Sequence, residues 1–206
     1  MNNKIPEKVV SRLTMYHSLL EEYIEEGIQY ISSPQIASRL NIDDSQVRKD
    51  FKILEKGGVC KRGYSVFELK ESIETTLGFS KKKDAFIIGA GNLGLALAKY
   101  SNFESYGLNI LALFDNDPLK VDMQLGEKQI FHLSKLSNLS QRLDVEIAIL
   151  TVPKNQAQKV ADIIIEAGIK YIWNFSSVIL KVPDGVKVWN ENLIASFLQF
   201  AFREIK

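Results

Sequence analysis

Three glycines stand in Gly89-Ala90-Gly91-Asn92-Leu93-Gly94, after the apolar run Ala85-Phe86-Ile87-Ile88 and before Leu95-Ala96-Leu97-Ala98. A chain that leaves a strand and starts a helix needs this pattern where it must wrap an anion. Gly89 allows the tight turn, Gly91 lets a pyrophosphate reach the backbone, and Gly94 lets helix and strand pack closely. The N–H groups at the helix start, together with the helix dipole, favour the bound charge. Ala90, Asn92 and Leu93 complete the candidate loop. The glycine spacing alone is unspecific, but an acid stands where ribose recognition needs one. Asp115 closes the run Leu111-Ala112-Leu113-Phe114, at about the 20-residue distance expected for a carboxylate on the adenosine ribose. Such an acid repels a 2′-phosphate, so the expected ligand is NADH or NAD+ rather than the phosphorylated form. A glycine turn serving another ligand, or none, is the alternative. Asp117, before Pro118, reads as the cap of a following helix.

Two more strand ends belong to the same crevice, because ligands of such sheets bind beyond the carboxyl ends of the strands. They are Thr151-Val152-Pro153 and Asn174-Phe175-Ser176-Ser177, both candidates for the nicotinamide side.

A second chemistry is concentrated upstream. From Gln46 to Tyr64 there are six basic residues, Arg48, Lys49, Lys52, Lys56, Lys61 and Arg62, against the acids Asp50 and Glu55. The whole chain of 206 residues carries a net charge of only +1, so affinity for a polyanion has to come from this local cluster. On a recognition helix, Arg48, Lys49 and Lys52 reach base edges or phosphates. Ser32 and Ser33, at a helix start, are candidates for holding a phosphate, and Arg62 for entering a minor groove. A solvated helix face is the plain alternative for any one of these lysines.

Elements must position these groups. A helix is expected over Pro6–Glu26, with Val9, Leu13, Leu20 and Ile24 on one face and a stop at Gly27. A second begins at Ser32-Ser33-Pro34, with Ser33 as cap and Pro34 in the first turn. A third begins at Asp43 or Asp44, with Asp43 and Gln46 as a capping box, and ends at Gly57-Gly58. Val59–Phe67 then reads as a small hairpin with Lys61-Arg62-Gly63 at its tip. Two short helices and a basic hairpin outline a winged helix-turn-helix. Beyond Lys81-Lys82-Lys83, strands at 85–88, 110–114, 145–152, 171–175 and 186–189 alternate with helices at 93–101, 155–167 and 193–205. Continuous apolar strands such as Ile147-Ala148-Ile149-Leu150 point to a parallel sheet covered on both faces. The expected fold is α/β, a winged helix followed by a Rossmann-like doubly wound parallel sheet. The boundaries are 1–80, 81–190 and, for a last separate helix, 191–206.

Composition excludes several classes. Apolar residues make up 46% of the chain, enough for a core, and no run approaches the length of a bilayer span. The lone Cys60 can form no disulfide within the chain, which fits a reducing compartment. Beside Lys61 and Arg62 it is a candidate redox thiol, though a small strand residue in a turn is the plainer reading. No signal peptide is visible, and the expectation is a cytoplasmic protein without membrane or metal partners. A small NAD-dependent oxidoreductase is the rival function. Hydride transfer to a substrate normally needs an acid or base beside the nicotinamide, and the only histidine after residue 84 is His132, which reads as strand and turn.

Taken in order, these residues resemble the Rex family of redox-sensing transcriptional repressors over nearly the whole chain. The resemblance rests on Ser11-Arg12-Leu13, Ser32-Ser33, Gln46-Val47-Arg48-Lys49-Asp50, Lys61-Arg62-Gly63-Tyr64 and the Gly89-to-Gly94 loop. It continues through Phe114-Asp115, Asp117-Pro118, Thr151-Val152-Pro153, Ala167-Gly168-Ile169-Lys170 and Asn174-Phe175. It implies a homodimer that binds operator DNA when NAD+ dominates and leaves it when NADH binds. Gln46 and Tyr64 join the implied DNA contacts. The last helix, with its stripe of Leu193, Ile194, Phe197, Leu198, Ala201 and Phe202, would be exchanged between subunits near the partner's nicotinamide. Arg12 and Tyr100 match a family network linking the reading head to the cofactor. The sequence departs from the family at Phe51–Glu55 after the recognition-helix Asp, at Ser176-Ser177 in place of Ala-Pro, and at Asn192 in place of an Asp that pairs with the arginine. An amide cannot make that ion pair, so a DNA-binding paralogue with altered or lost redox response stays open beside the enzyme.

Overall fold

The computed structural model describes residues 5–54 and 63–204, with the side chains of 203 and 204 outside that description. The chain divides into two compact units, Met1–Lys81 and Lys82–Lys206.

The first unit is built on α1 (Glu7–Glu25), β1 (Tyr30–Ile31), α2 (Ser33–Leu40), α3 (Asp44–Phe51), β2 (Tyr64–Ser65) and α4 (Val66–Leu77). Its core gathers Leu13, Tyr16 and Leu20 of α1, Ile36 of α2, Val47 and Phe51 of α3, and Leu69 and Ile73 of α4. The helix-turn-helix is α2 and α3, joined through Asn41 in the left-handed region (φ 52). Asp43 caps α3 by accepting from the Ser45 N–H at 2.8 Å.

Three expectations change here. The cap of α2 is Ser32, not Ser33: its N–H and hydroxyl both donate to the Gln35 side-chain oxygen, at 2.8 and 2.7 Å, and Ser33 is buried. The Asp43–Gln46 box does not form, because the Gln46 amide is turned toward Asp50. The segment Val59–Phe67 is not a hairpin to its end. Val66 and Phe67 open α4, which Ser65 caps by accepting from the Glu68 N–H, and β2 pairs antiparallel with β1 in the register Tyr30↔Ser65 and Ile31↔Tyr64. A two-residue strand has no periodicity to detect, whereas Ser65-x-x-Glu68 was a helix-start signal. The wing tip with Cys60, Lys61 and Arg62 lies outside the described residues, and so do Lys56, Gly57 and Gly58.

The second unit runs β3 (Lys83–Ile88), α5 (Asn92–Ala98), α6 (Asn102–Ser105), β4 (Leu108–Asp115), β5 (Gln124–Leu125), β6 (Lys128–His132), a 3-10 turn (Leu133–Lys135), α7 (Leu136–Leu143), β7 (Ile147–Leu150), α8 (Ala157–Glu166), β8 (Tyr171–Asn174), β9 (Lys187–Asn190) and α9 (Leu193–Glu204). The sheet order is β5-β6-β4-β3-β7-β8-β9, parallel except for β5, which pairs antiparallel with β6. Successive strands step outward from β3 in one direction as far as β6 and then from β7 in the other. The crevice at this reversal lies at the carboxyl end of β3, where the glycine loop stands. Strand residues Phe86, Ile88, Phe114 and Leu150 face one core, with α7 and α8; Ala85, Ile87, Leu113 and Ile149 face the other, with α5. The sequence reading did not separate out α6, β5 and α7, while the strand and turn expected at His132 is β6 and the 3-10 turn after it. In α7 a serine occupies the inner face, with the buried Ser140 hydroxyl donating to the Ala167 carbonyl at 2.8 Å, so the apolar periodicity is interrupted. Asp117 caps a turn rather than a helix, accepting from the Leu119 N–H at 3.0 Å.

Candidate functional site: a nucleotide crevice and a basic helix face

The glycine loop owes its shape to backbone and Thr151. Gly89 has φ +110, and its carbonyl accepts the Thr151 hydroxyl at 2.8 Å. A side chain at Gly94 is impossible as the loop stands, because a Cβ would lie 2.0 Å from the Gly89 oxygen. Gly91 is the opposite case: a Cβ there would meet nothing within 4 Å. The chain makes no use of that space itself, and it lies at the first turn of α5, where the Asn92 and Leu93 N–H groups have no intrahelical acceptor. Open backbone beside free N–H donors is what binding of an anion such as a pyrophosphate requires.

Asp115 ends β4 beside it. Its carboxylate accepts from the Ala90 N–H at 2.8 Å and the Asp117 N–H at 2.9 Å, with the Lys120 ammonium 3.4 Å away. Burial opposes ionisation, but the two N–H donors and Lys120 outweigh it and hold the carboxyl below the ordinary range. The group is thus an anion, able to accept ribose hydroxyls. His132 pairs in register with Asp115 on the neighbouring strand and caps the following turn, its Nδ1 2.8 Å from the Ser134 hydroxyl. It therefore stands at the Asp115 end of the crevice, with β4 and β3 between its strand and β7.

The other predicted contacts divide. Val152 is half-buried and Pro153 exposed, beyond the end of β7, while Thr151 spends its hydroxyl on the loop. Asn174 is fully buried and saturated. Its amide donates to the Val178 carbonyl and the Asn190 side chain, and its oxygen accepts the Ser176 N–H and hydroxyl. It shapes the loop rather than facing a ligand, and Ser176 takes part in that arrangement. Phe175 packs on Trp173 with ring centres 5.0 Å apart. Tyr100 is exposed just past the far end of α5, edge-on to Phe103 at 5.0 Å, and is not brought to its own chain's glycine loop. Asn192 caps α9 by accepting from the Ala195 N–H at 2.9 Å.

In the first unit, α3 presents Arg48 and Lys49 to solvent, and Lys52 is exposed in the turn that follows it. Arg48 pairs with Asp44 at 2.6 Å, one turn earlier. Ser32 is engaged with Gln35, Ser33 is buried, and Tyr64 packs its ring against Phe51 at 5.0 Å. The Ser32 hydroxyl proton is thus spent within its own chain and Ser33 is withdrawn from solvent, while the Tyr64 contact engages the ring and not the hydroxyl. The reading of the sequence missed what lies behind α3. Asp50, 1% exposed, accepts from Arg12 Nε at 2.6 Å, a second Arg12 nitrogen at 2.8 Å, the Tyr16 hydroxyl at 2.9 Å and Gln46 Nε2 at 2.8 Å. Burial opposes its ionisation, but the arginine, the phenol and the amide prevail and its carboxyl is held low. In the sequence Asp50 was an acid counted against a basic helix and one letter of the family motif, with no partner assigned to it. Among the described residues no cluster of His, Cys, Asp or Glu could hold a metal, and no helix is long and apolar enough to cross a membrane.

Comparison with known proteins agrees with this geometry. Residues 80–178 match the family described as CoA binding domain, and residues 4–51 the family described as putative DNA-binding protein N-terminus. The redox-sensing transcriptional repressor Rex of Treponema denticola is 42% identical over 91% of this chain and 90% of its own. Two solved structures of RSP, one in complex with beta-NAD+ and operator DNA and one with beta-NADH, superpose with TM-scores of 0.88 and 0.86. They are 35% and 34% identical, each covering 98% of this chain and 93% and 95% of the other.

Proposed function

Because the chain belongs to the Rex family of redox-sensing transcriptional repressors, we propose that it binds operator DNA through its first unit and is released when NADH occupies the second. One observation carries this reading. The same chain holds an exposed basic helix in a helix-turn-helix and a cradle at Gly91 flanked by the anionic Asp115. An enzyme would need a proton carrier at the nicotinamide, and His132 stands at the other end.

Residues 1–80 read DNA, 81–190 hold the nucleotide, and 191–206 join two copies. Arg48, Lys49 and Lys52, with Lys61 and Arg62 of the wing, meet the DNA. Asn92 and Leu93 bind the pyrophosphate over Gly91, Asp115 binds the ribose, and Val152, Pro153 and Phe175 border the nicotinamide. Tyr100, remote from its own loop, reaches a nucleotide only across a dimer. The exposed apolar side chains of α9, Leu193, Ile194, Phe197, Leu198 and Phe202, supply the surface for that dimer. As a DNA-binding repressor the protein acts in the cytoplasm, with operator DNA and a second copy of the chain as its partners.

Release by NADH requires that NADH bind the DNA-incompetent dimer more tightly than the competent one. The reduced ring is neutral and the oxidised ring cationic, which gives the site a charge difference to read. Asp50 holds Arg12 through two of its five N–H donors, which leaves the others for the coupling. The test is a fluorescence-anisotropy titration of labelled operator DNA at one salt concentration. Release by NADH and not by NAD+ establishes the reading. Binding indifferent to both leaves a DNA-binding paralogue without the redox response.

A further inference from the structure

The buried Asp50 does more than stabilise α3. An ionised carboxylate only accepts hydrogen bonds. The end of Gln46 that faces it at 2.8 Å must therefore be the NH2 group and not the carbonyl. An unconstrained glutamine amide can flip and offer a base either polarity. Here the flip would set two oxygens against each other in a half-buried place, so the polarity is fixed. One amide hydrogen is spent on Asp50. The second hydrogen and Oε1 remain as an adjacent donor and acceptor.

We infer that Gln46 is a specificity-determining residue for adenine, with Asp50 as the positioning residue that fixes its amide. Gln46 lies in the first turn of α3, beside the exposed Ser45 and Lys49, and the N-terminal residues of a recognition helix are those that touch base edges. The major-groove edge of adenine offers the N6 amino group as donor and N7 as acceptor, the complement of what Gln46 has left. Guanine, with acceptors at both O6 and N7, would face Oε1 with another acceptor. Arg12 and Tyr16 prevent the carboxylate from turning, because they occupy its remaining lone pairs. The inference rests on the DNA-binding reading above.

The experiment is selection from a randomised duplex library with the full-length protein, repeated with Gln46→Met and Asp50→Asn. For the wild type, one base pair in each half-site is expected to be adenine-restricted. Replacing that adenine by 7-deazaadenine should weaken binding roughly five- to tenfold, the low end of a bidentate base contact. Gln46→Met keeps length and packing. It should lose the restriction at that pair alone and become indifferent to 7-deazaadenine. Asp50→Asn can accept or donate, so the amide is free to flip, and the preference for adenine at that pair should weaken without guanine gaining, since guanine meets Oε1 with an acceptor in either orientation. Should Asp50→Asn fail to fold, the methionine variant still decides. Unchanged base preference in Gln46→Met, or an equal loss at every position, overturns the inference while leaving DNA binding intact. Enrichment of no duplex by the wild type overturns the DNA-binding reading and this inference with it.

Discussion

The Arg12 guanidinium meets the Asp50 carboxylate side-on, Nε at 2.6 Å and a second nitrogen at 2.8 Å, and so ties the first helix of the DNA-reading unit to its third. Asp50 is 1% exposed and the arginine side chain 21%. Removing one partner of a buried pair leaves an uncompensated charge, which costs about 3–5 kcal/mol. Arg12→Met should sit at the low end, about 3 kcal/mol, because Tyr16 and Gln46 still donate to the carboxylate. Chemical denaturation of the full chain, followed by a probe in residues 5–54, checks this. A loss under 1 kcal/mol would mean that the pair is screened and does not fix α3.

The same carboxyl gives a pH signature. Asp50 is held below its ordinary value of 3.8 by Arg12, Tyr16 and Gln46, which together overcome its burial. A group whose folded value is depressed contributes its stability above the unfolded value and loses it as pH falls through the folded one. The contribution of Asp50 is therefore complete above about pH 4 and disappears below it. Stability of the DNA-reading unit should fall from pH 4 to pH 2 more steeply in wild type than in Asp50→Asn. Parallel curves for the two proteins would assign the acid sensitivity to other carboxylates.

The sequence made some of this architecture legible and hid the rest for identifiable reasons. Gly89, Gly91, Gly94 and Asp115 are visible because each answers a steric or charge demand that few residue types meet. The central strands β3, β4 and β7 are visible as continuous apolar runs. Asp50 was invisible as a functional residue, since its meaning lies in Arg12 and Tyr16, 38 and 34 positions away. Asn174 looked like a ligand contact because it ends a strand, yet its neighbours Ser176, Val178 and Asn190 consume its amide. The start of α4 was written in Ser65 and Glu68 but overshadowed by the expectation of a longer hairpin.

Gly91 and Gly94 should respond to alanine in different ways. At Gly94 the new Cβ would fall 2.0 Å from the Gly89 oxygen, so the loop must move, and overpacking of this kind costs about 1–3 kcal/mol. At Gly91 there is open space and a backbone φ of −80 that alanine adopts freely. Gly91→Ala should leave the ligand-free protein as stable as before, or up to about 1 kcal/mol more stable, yet bind NADH at least about tenfold more weakly, 1.4 kcal/mol. Calorimetric titration with NADH, beside thermal melts without it, separates the two effects. Unaltered NADH affinity in Gly91→Ala would take the pyrophosphate away from this cradle.

Arg48 is exposed on α3 and held one turn back by Asp44. Arg48→Ala should weaken operator binding by about 1–3 kcal/mol if the guanidinium reads a base, the role that its exposed place on the recognition helix assigns it. The loss should shrink on duplexes altered at that base, and NADH affinity in the absence of DNA should not change. A uniform loss across all duplexes, with the salt slope reduced by about one, would make Arg48 a phosphate contact instead.

Asp115→Asn tests both the ribose contact and the choice between the two nicotinamide dinucleotides. The amide oxygen can still accept one of the N–H groups of Ala90 and Asp117 that the carboxylate now holds, so the turn should survive. What goes is the negative charge. Hydrogen bonds to a charged group contribute about 1.5–3 kcal/mol, so NADH affinity should fall roughly ten- to a hundredfold. NADPH should move the other way in relative terms. The repulsion between its 2′-phosphate and Asp115 disappears, and Lys120, 3.4 Å from Asp115 in the wild type, loses that partner and becomes able to meet the phosphate. The ratio of NADPH to NADH affinity, measured by titration for both proteins, should therefore rise in the variant by more than the loss in NADH affinity alone accounts for. If the ratio rises only in step with that loss, Asp115 contributes to binding without selecting the cofactor, and the discrimination lies elsewhere in the crevice.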